Sequence, residues 1–362
     1  MKLLIGGGGT GGHIYPGLSL ARYLLSVSAG SEILFVGSEA GLEQKIVPAS
    51  GFRLATIPAK GFQRSFKQFG LVIRNLYGGI RQAVKIIEDF KPDAVLGTGG
   101  YVAAPVVIAA LTKRVPVVIH EQNALPGLTN RLLAPFVSRV CISFAGSAKK
   151  MSRLSRVVHT GNPRSTEVLS LSREEGCSAL GLDRNKVIVL IYGGSRGAMR
   201  LNEVVTDYLV ETTLPQQIAV VFVTGELYFQ EISGKLNPLP EQVKLYPYLN
   251  QMPEALVAAN LVVTRSGATT LAELTALGLP AILIPSPNVV NNHQYYNARM
   301  LSDVGAAVLI EEKEFNRKIL EQEINLLIDN PDLRSAMQGN SKALGVTDAA
   351  QRLYRTLEEV LS

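Results

Sequence analysis

Residues 3–13 read Leu3-Leu4-Ile5-Gly6-Gly7-Gly8-Gly9-Thr10-Gly11-Gly12-His13 and run on into Pro16-Gly17-Leu18-Ser19-Leu20-Ala21. An apolar strand start that empties into glycine and then into a helical pattern is a strand-to-helix turn. The main chain of such a turn can approach a ligand with no side chain between them, and the first amides of the helix point at whatever sits there. The spacing Gly7-x-Gly9-x-x-Gly12 satisfies the dinucleotide fingerprint. A P-loop needs Gly-Lys-Ser/Thr, whereas His13 follows the last glycine here, so the turn is not a Walker motif. His13 instead puts a titratable imidazole at the mouth of an anion-binding loop.

Outward from this turn, β-branched runs alternate with helix-length amphipathic stretches. Strands are expected at 2–6, 32–37, 53–57, 94–97, 115–120, 139–143 and 157–160, and again at 187–192, 218–224, 243–246, 261–264, 281–285 and 306–310. Continuous apolar strands separated by helices mean parallel sheets covered on both faces. The second series opens on its own glycine turn, Gly193-Gly194-Ser195-Arg196-Gly197-Ala198. The expectation is therefore an α/β chain of two doubly wound, Rossmann-like domains with a ligand site in the cleft between them. The segment Gly161-Asn162-Pro163-Arg164 marks the boundary. This divides the chain into a domain at 1–163, a second at 164–340, and a C-terminal helical segment at 341–362 packing back on the first.

Of the 362 residues, 47% are hydrophobic and 18% charged, the make-up of a well-cored globular protein. The net charge of +6 conceals an asymmetry: residues 1–163 hold 19 Lys/Arg against 7 Asp/Glu, a net +12, and residues 164–362 hold 17 against 23, a net −6. A basic half implies an anionic partner: nucleic acid, a membrane surface or an acidic ligand. The basic residues lack interleaved stacking aromatics and no recognition-helix motif occurs, which argues against nucleic acid. Cys141 and Cys177 have neither CxxC nor Cys/His spacing, so disulfide and zinc readings have no support. The longest apolar run, Val102 to Leu111, contains Pro105 and is half a membrane span, and the apolar start is too short for a signal peptide. No membrane-spanning segment is expected, and the protein should be cytoplasmic.

The most explicit polar constellation is Arg265-Ser266-Gly267-Ala268-Thr269-Thr270-Leu271-Ala272-Glu273, after the strand Leu261–Thr264. A helix starting near Ala268 presents its first amides to a diphosphate without a metal. Glu273 lies three and four residues beyond Thr270 and Thr269, on the same helical face, where a carboxylate can accept from both hydroxyls of a ribose. An isolated glutamate would more often be a solvated surface residue; the neighbouring Arg265-Ser266-Gly267 favours the ribose role.

With Gly-Gly-Thr-Gly-Gly-His at 8–13, Gly-Gly-Tyr at 99–101, His-Glu-Gln-Asn at 120–123, Gly-Asn-Pro-Arg at 161–164, Gly-Gly-Ser at 193–195, Arg-Ser-Gly-Ala at 265–268, Glu273 and Gln294, the whole chain resembles the MurG family. These bacterial peptidoglycan enzymes transfer N-acetylglucosamine from UDP-N-acetylglucosamine to lipid I, making lipid II. The resemblance implies the GT-B fold, two facing Rossmann-like domains with an interdomain cleft, and an inverting transfer without cofactor. Its donor contacts would be Thr10, Gly11, Gly12, Asn123, Arg164, Ser195, Leu249 at the uracil, Ala268, Thr269, Thr270, Leu271, Ala272, Glu273 and Gln294. The acceptor diphosphate would lie near Gly99, Gly100 and Tyr101. Arg196 stands where glutamine is expected and would add a cation near the donor phosphates; His293 stands where some relatives carry a second glutamine, so a sugar-hydroxyl role passes to Gln294 alone. The resemblance also implies a peripheral place on the cytoplasmic side of the cell membrane, beside cell-wall synthesis and division proteins.

Inverting transfer needs a base for the acceptor 4-hydroxyl. His13 is the first candidate, with binding or loop-fixing as its alternative, and Glu121 is the second. No Asp-x-Asp metal motif occurs, which agrees with a metal-independent site holding UDP on helix-end amides, Ser195 and Arg164. His120 reads as structural and His159 as a core histidine. Between Arg64 and Lys85 a single helix would gather Arg64, Lys67, Arg74, Arg81 and Lys85 on one side and Phe66, Phe69, Ile73, Leu76, Ile80 and Val84 on another, a profile suited to anionic lipid. Gly70 and Gly78-Gly79 argue against an unbroken helix, and packing on its own sheet would account for most of the apolar residues. The rivals are a sugar-nucleotide epimerase, which would isomerise donor without acceptor, and an NAD-dependent dehydrogenase, in which the Arg265–Glu273 segment has no place.

Overall fold

A computed structural model describes residues 1–59, 69–152, 154–194 and 197–362, with residues 69–73 described in their backbone only. Ser195 and Arg196, together with Arg64, Phe66 and Lys67, lie outside the described residues, as do the side chains of Phe69 and Ile73. The chain divides into two compact units, Met1–Thr166 with Asp348–Ser362, and Glu167–Thr347.

The first unit runs β1 (Lys2–Gly7), α1 (Gly11–Val27), β2 (Glu32–Ser38), α2 (Glu43–Ala49), β3 (Arg53–Ile57), α3 (Phe69–Phe90), β4 (Ala94–Gly99), α4 (Gly100–Thr112), β5 (Val117–Glu121), α5 (Leu128–Leu133), β6 (Arg139–Ile142) and β7 (Val157–His159), with α6 (Arg164–Glu167) at its exit. All seven strands are parallel, in the order β3-β2-β1-β4-β5-β6-β7. Leu3 and Ile5 join the core on one face, and Leu4 joins the core on the other. A strand buried on both sides has no polar alternation to show, which is why it reads as an unbroken apolar run.

The second unit runs α7 (Arg173–Ala179), β8 (Val187–Tyr192), α8 (Met199–Glu211), β9 (Ile218–Val223), α9 (Glu226–Lys235), β10 (Val243–Tyr246), α10 (Met252–Ala258), β11 (Leu261–Thr264), α11 (Ala268–Leu277), β12 (Ala281–Leu283), α12 (His293–Ser302), β13 (Val308–Leu309), α13 (Arg317–Asp329) and α14 (Pro331–Leu344). Its six parallel strands lie in the order β10-β9-β8-β11-β12-β13. The last helix, α15 (Ala349–Glu359), belongs to the first unit: Leu353 and Leu357 share a core with Leu20 and Leu24 of α1, and Tyr23 meets Tyr354 edge-on at 5.9 Å.

Each sheet has one switch point where the strand order reverses, and there two neighbouring strands send their following loops apart. In the first sheet it falls between β1 and β4, so the loops after Gly7 and Gly99 flank it. In the second it falls between β8 and β11, flanked by Gly193-Gly194 and Arg265-Ser266-Gly267.

Two expectations need correction. Helix α3 continues unbroken through Gly78 and Gly79. A Cβ on Gly79 would stand 3.0 Å from the Pro58 carbonyl and 3.2 Å from Pro105 Cβ, so the missing side chain is what lets α3 lie close on α4. Ile80, Val84 and Ile87 turn to the core while Arg74, Arg81 and Lys85 are exposed, and Leu76 is exposed with them rather than buried. His159 is not a core residue: it ends the edge strand β7 in an exposed position, with Nε2 3.2 Å from the Ser143 carbonyl.

Candidate functional site

The glycine turn after β1 is built around a residue that its own sequence does not reveal. Glu43, at the start of α2, is 1% exposed. Its carboxylate accepts from the Ser38 amide at 2.8 Å, the Ser38 hydroxyl at 2.6 Å and the Gly9 amide at 2.9 Å. Burial alone would push this carboxyl up; the bonds from Ser38 and Gly9 outweigh it and hold it below its ordinary value. A Cβ on Gly8, Gly37 or Gly41 would collide with this side chain, so three glycines make its room. On the other side, a Cβ on Gly9 would meet Tyr101 at 2.8 Å, and the Tyr101 hydroxyl lies 3.3 Å from that of Ser38. The loop is thus clamped between a carboxylate and a phenol. The Gly9 amide is already spent on Glu43, and the turn at Thr10–Gly12 leads directly into α1.

His13 is half-buried in the first turn of α1. Its Nδ1 lies 3.1 Å from the Gly8 carbonyl and 3.1 Å from Thr10 Oγ1. A carbonyl can only accept, so the neutral ring carries its hydrogen on Nδ1 and its lone pair on Nε2. The ring rests against Gly99 and Gly100, whose φ angles of +104° and +76° are open to glycine. Thr10, Gly11, Gly12, His13, Gly99, Gly100 and Tyr101 therefore converge at the switch point of the first sheet.

Glu121, at the end of β5, is 1% exposed and fully engaged. One oxygen accepts from the Asn123 amide at 2.9 Å and the Asn123 side chain at 3.3 Å; the other accepts from the Gly127 amide at 2.9 Å and the Asn130 side chain at 2.8 Å. All its bonds go to the loop 122–130, which suits holding that loop better than moving a proton. Arg164 lies over the Tyr15 ring of α1, 5.4 Å from its centroid, with its amide donating to Asn162 Oδ1 at 3.1 Å.

In the second unit, Gly267 precedes α11, and no side chain among the described residues caps the helix, the local arrangement in which first-turn amides can meet an anion. Glu273 is 6% exposed, one turn along, and the Thr269 hydroxyl is buried without a partner among the described residues. Arg265 does not reach outward. Its guanidinium donates to the carbonyls of Ile284 at 3.0 Å and Pro285 at 3.3 Å and pairs with Glu312, tying together the ends of β11, β12 and β13. Gln294 accepts the Ser286 amide on its side-chain oxygen at 2.9 Å and the Ser266 hydroxyl on its carbonyl at 2.8 Å, which orients its amide nitrogen as a donor. Asn291 and Asn292, at φ +54° and +50°, hold the preceding loop in a left-handed bend. Leu249 is buried after β10. Thus Ala268–Glu273, Leu249 and Gln294 belong to the second unit, and the remaining described candidates, with Asn123 and Arg164, belong to the first. Sequence reasoning passed over Glu43 and, though it picked out the 120–123 segment, gave Gln122 no role of its own; the one local sign of Glu43 is the pair of glycines, Gly37 and Gly41, ahead of it.

Residues 3–142 match the glycosyltransferase family 28 N-terminal domain and residues 188–353 the family 28 C-terminal domain. The chain is 43% identical to the UDP-N-acetylglucosamine--N-acetylmuramyl-(pentapeptide) pyrophosphoryl-undecaprenol N-acetylglucosamine transferase of Acetivibrio thermocellus, over 100% of this chain and 98% of that protein. It is 45% identical to the protein of that name from Halalkalibacterium halodurans, over 99% of each. Among solved structures it is similar to the crystal structure of Acinetobacter baumannii MurG, with a TM-score of 0.79 and 26% identity over 99% of each chain.

Proposed function

The chain belongs to glycosyltransferase family 28, in its MurG branch, and from that premise we propose that it moves N-acetylglucosamine from UDP-N-acetylglucosamine to the 4-hydroxyl of the muramoyl sugar of lipid I. It is an inverting hexosyltransferase, and its product is lipid II. The observation that carries this is the end-to-end likeness to the N-acetylglucosaminyltransferases, which leaves neither half of the chain to another activity.

The residues take roles as follows. His13 Nε2 removes the proton of the 4-hydroxyl as that oxygen bonds to the anomeric carbon and the bond from that carbon to UDP breaks. The Nδ1 hydrogen on the Gly8 carbonyl leaves the basic lone pair on Nε2. The departing diphosphate rests on the first amides of α11, with Ser195 and Arg164 contributing further donors; Glu273 takes the ribose hydroxyls, Leu249 the uracil and Gln294 a sugar hydroxyl. Gly99, Gly100 and Tyr101 receive the acceptor diphosphate. Glu121 holds the 122–130 loop, and with it Asn123, in place.

The acceptor is lipid-linked, and no helix among the described residues is long and apolar enough to cross a membrane. Leu128, Leu132 and Phe136 are 63%, 63% and 70% exposed, four residues apart, beside exposed Arg131, Lys149 and Lys150. Leu128, Leu132 and Lys150 line one hollow of about 240 Å³. Apolar side chains with cations beside them suit an anionic membrane surface, and we propose this face, rather than the 64–85 segment, for peripheral docking on the cytoplasmic side.

The test is release of UDP from UDP-N-acetylglucosamine with and without a lipid I analogue. Release that needs the acceptor supports transfer; isomerised donor without acceptor would show an epimerase instead. At saturating donor, His13→Ala should cost about 10²–10⁴-fold in turnover. Near-normal turnover in that variant would remove His13 from the role of base.

A further inference from the structure

Gln122 follows the last residue of β5 and is 2% exposed. Its side-chain nitrogen donates to the Thr98 carbonyl at 2.7 Å and the His120 carbonyl at 3.1 Å, and lies 3.1 Å from His120 Nδ1. His120 is fully buried, and burial pushes its imidazole below the ordinary value, against the Gly161 carbonyl and the Glu121 charge. The ring is therefore neutral at pH 7. Its Nε2 donates to the Gly161 carbonyl at 2.9 Å, and Nδ1 accepts from Gln122. These contacts fix which way the Gln122 amide lies, because turned over its oxygen would face two carbonyls. Gln122 Oε1 is left buried with no hydrogen-bond partner among the described residues.

Where that oxygen points is informative. A Cβ on Gly99 would stand 2.8 Å from His13 Cδ2, 3.2 Å from His13 Nε2 and 3.5 Å from Gln122 Oε1. The imidazole edge and the amide oxygen border one notch, kept clear because residue 99 is glycine. The oxygen is closed to solvent, so a substrate group does not reach it; what it can answer is a charge on the protein itself. We propose that Gln122 is a positioning residue for the transfer, its side-chain oxygen stabilising the Cδ2–Nε2 edge of His13 once that ring has taken the acceptor's proton. A carbonyl dipole in a poorly solvated interior is strong enough for this role. The inference rests on His13 being the base. Among the described residues, the titratable or charged groups on the surrounding elements include Glu43 behind Gly9, Tyr101 beside it, His120 and Glu121 at the end of β5, and Tyr15 on α1 with Arg164 over its ring.

The test is the titration of the His13 ring in the full-length chain labelled with 13C-histidine. The chain has four histidines, and His13→Ala assigns the signal. Gln122→Met removes the oxygen at nearly constant length. It should lower the His13 midpoint by about one pH unit, move the acid limb of the UDP-release profile down with it, and reduce turnover about three- to ten-fold. An unmoved midpoint with turnover still abolished by His13→Ala overturns the role of Gln122 and leaves the base in place. Full turnover in His13→Ala defeats the base reading, and the positioning role of Gln122 with it. Should Gln122→Met fail to fold, the unsubstituted chain decides the matter. One glutamine side-chain 15N resonance must titrate with the His13 midpoint and cease to do so in His13→Ala, and its absence overturns the proposal.

Discussion

Replacing Glu43 by glutamine tests whether the glycine turn is held by a buried charge. Both Ser38 donors converge on one carboxylate oxygen and the Gly9 amide on the other. In Glu43→Gln the amide oxygen can keep the Ser38 pair, which leaves the NH2 group facing the Gly9 N–H, donor against donor. One charge-assisted bond is lost and a buried amide has no acceptor. Allowing for the relief of no longer burying a charge, the cost is about 2 kcal/mol, or about 30-fold in the equilibrium for opening the loop. The sign with pH follows from the Glu43 carboxyl lying below its ordinary 4.5 in the folded chain. Its contribution is complete above that unfolded value and is lost as pH falls through the lower folded one. Hydrogen exchange of the Gly9 amide is the assay, with β8 amides in the second unit as internal control. At pH 7 the variant should lose about 30-fold in protection at Gly9 and nothing in β8, and the gap should close in acid. Unchanged protection at pH 7, or a gap that persists below the folded-state value, would refute the reasoning.

Three further outcomes are expected. Glu121→Ala frees the 122–130 loop and should cost about 100-fold in turnover through misplacement. The acid limb of its pH–rate profile should stay where it is; a shifted limb would return Glu121 to the list of bases. Arg265→Met strands Glu312, whose side chain is 19% exposed, without its guanidinium, and should destabilise the second unit by about 3 kcal/mol, read by thermal unfolding. Leu132→Glu with Phe136→Glu should abolish sedimentation with anionic vesicles at low salt while leaving turnover of a short-chain soluble acceptor unchanged. Retained vesicle binding would move the docking surface elsewhere.

Much of the architecture follows from local pattern. Runs such as Val187–Tyr192 are strands because every residue is apolar, and they are parallel because helix-length segments separate them. Glycines mark strand ends because the backbone must turn tightly there, so the turn at 6–12, Gly99-Gly100 and Gly267 were all legible along the chain. The amphipathic pattern of α3 was legible too, but its continuity was not. Glycine weakens a helix unless a neighbour needs its place, and only the packing of Gly79 on Pro58 and Pro105 shows that need.

The sequence by itself determined two parallel-sheet domains, the charge difference between the halves and which strand ends run into glycine turns, because these depend on periodicity and on residue types a few positions apart. What each polar side chain is committed to was decided only by the tertiary structure. Gly9 meets Glu43 across 34 residues, and Gln122 meets Thr98 across 24. Hydrogen bonds over such separations leave no periodic trace in the chain, and a buried carboxylate reads the same as an exposed one until its donors are seen. The opening turn was therefore legible as a strand-to-helix turn from its glycines alone. That one of its amides is taken by a hidden glutamate, and that its histidine lies across a notch from a buried glutamine, could only be read from the folded chain.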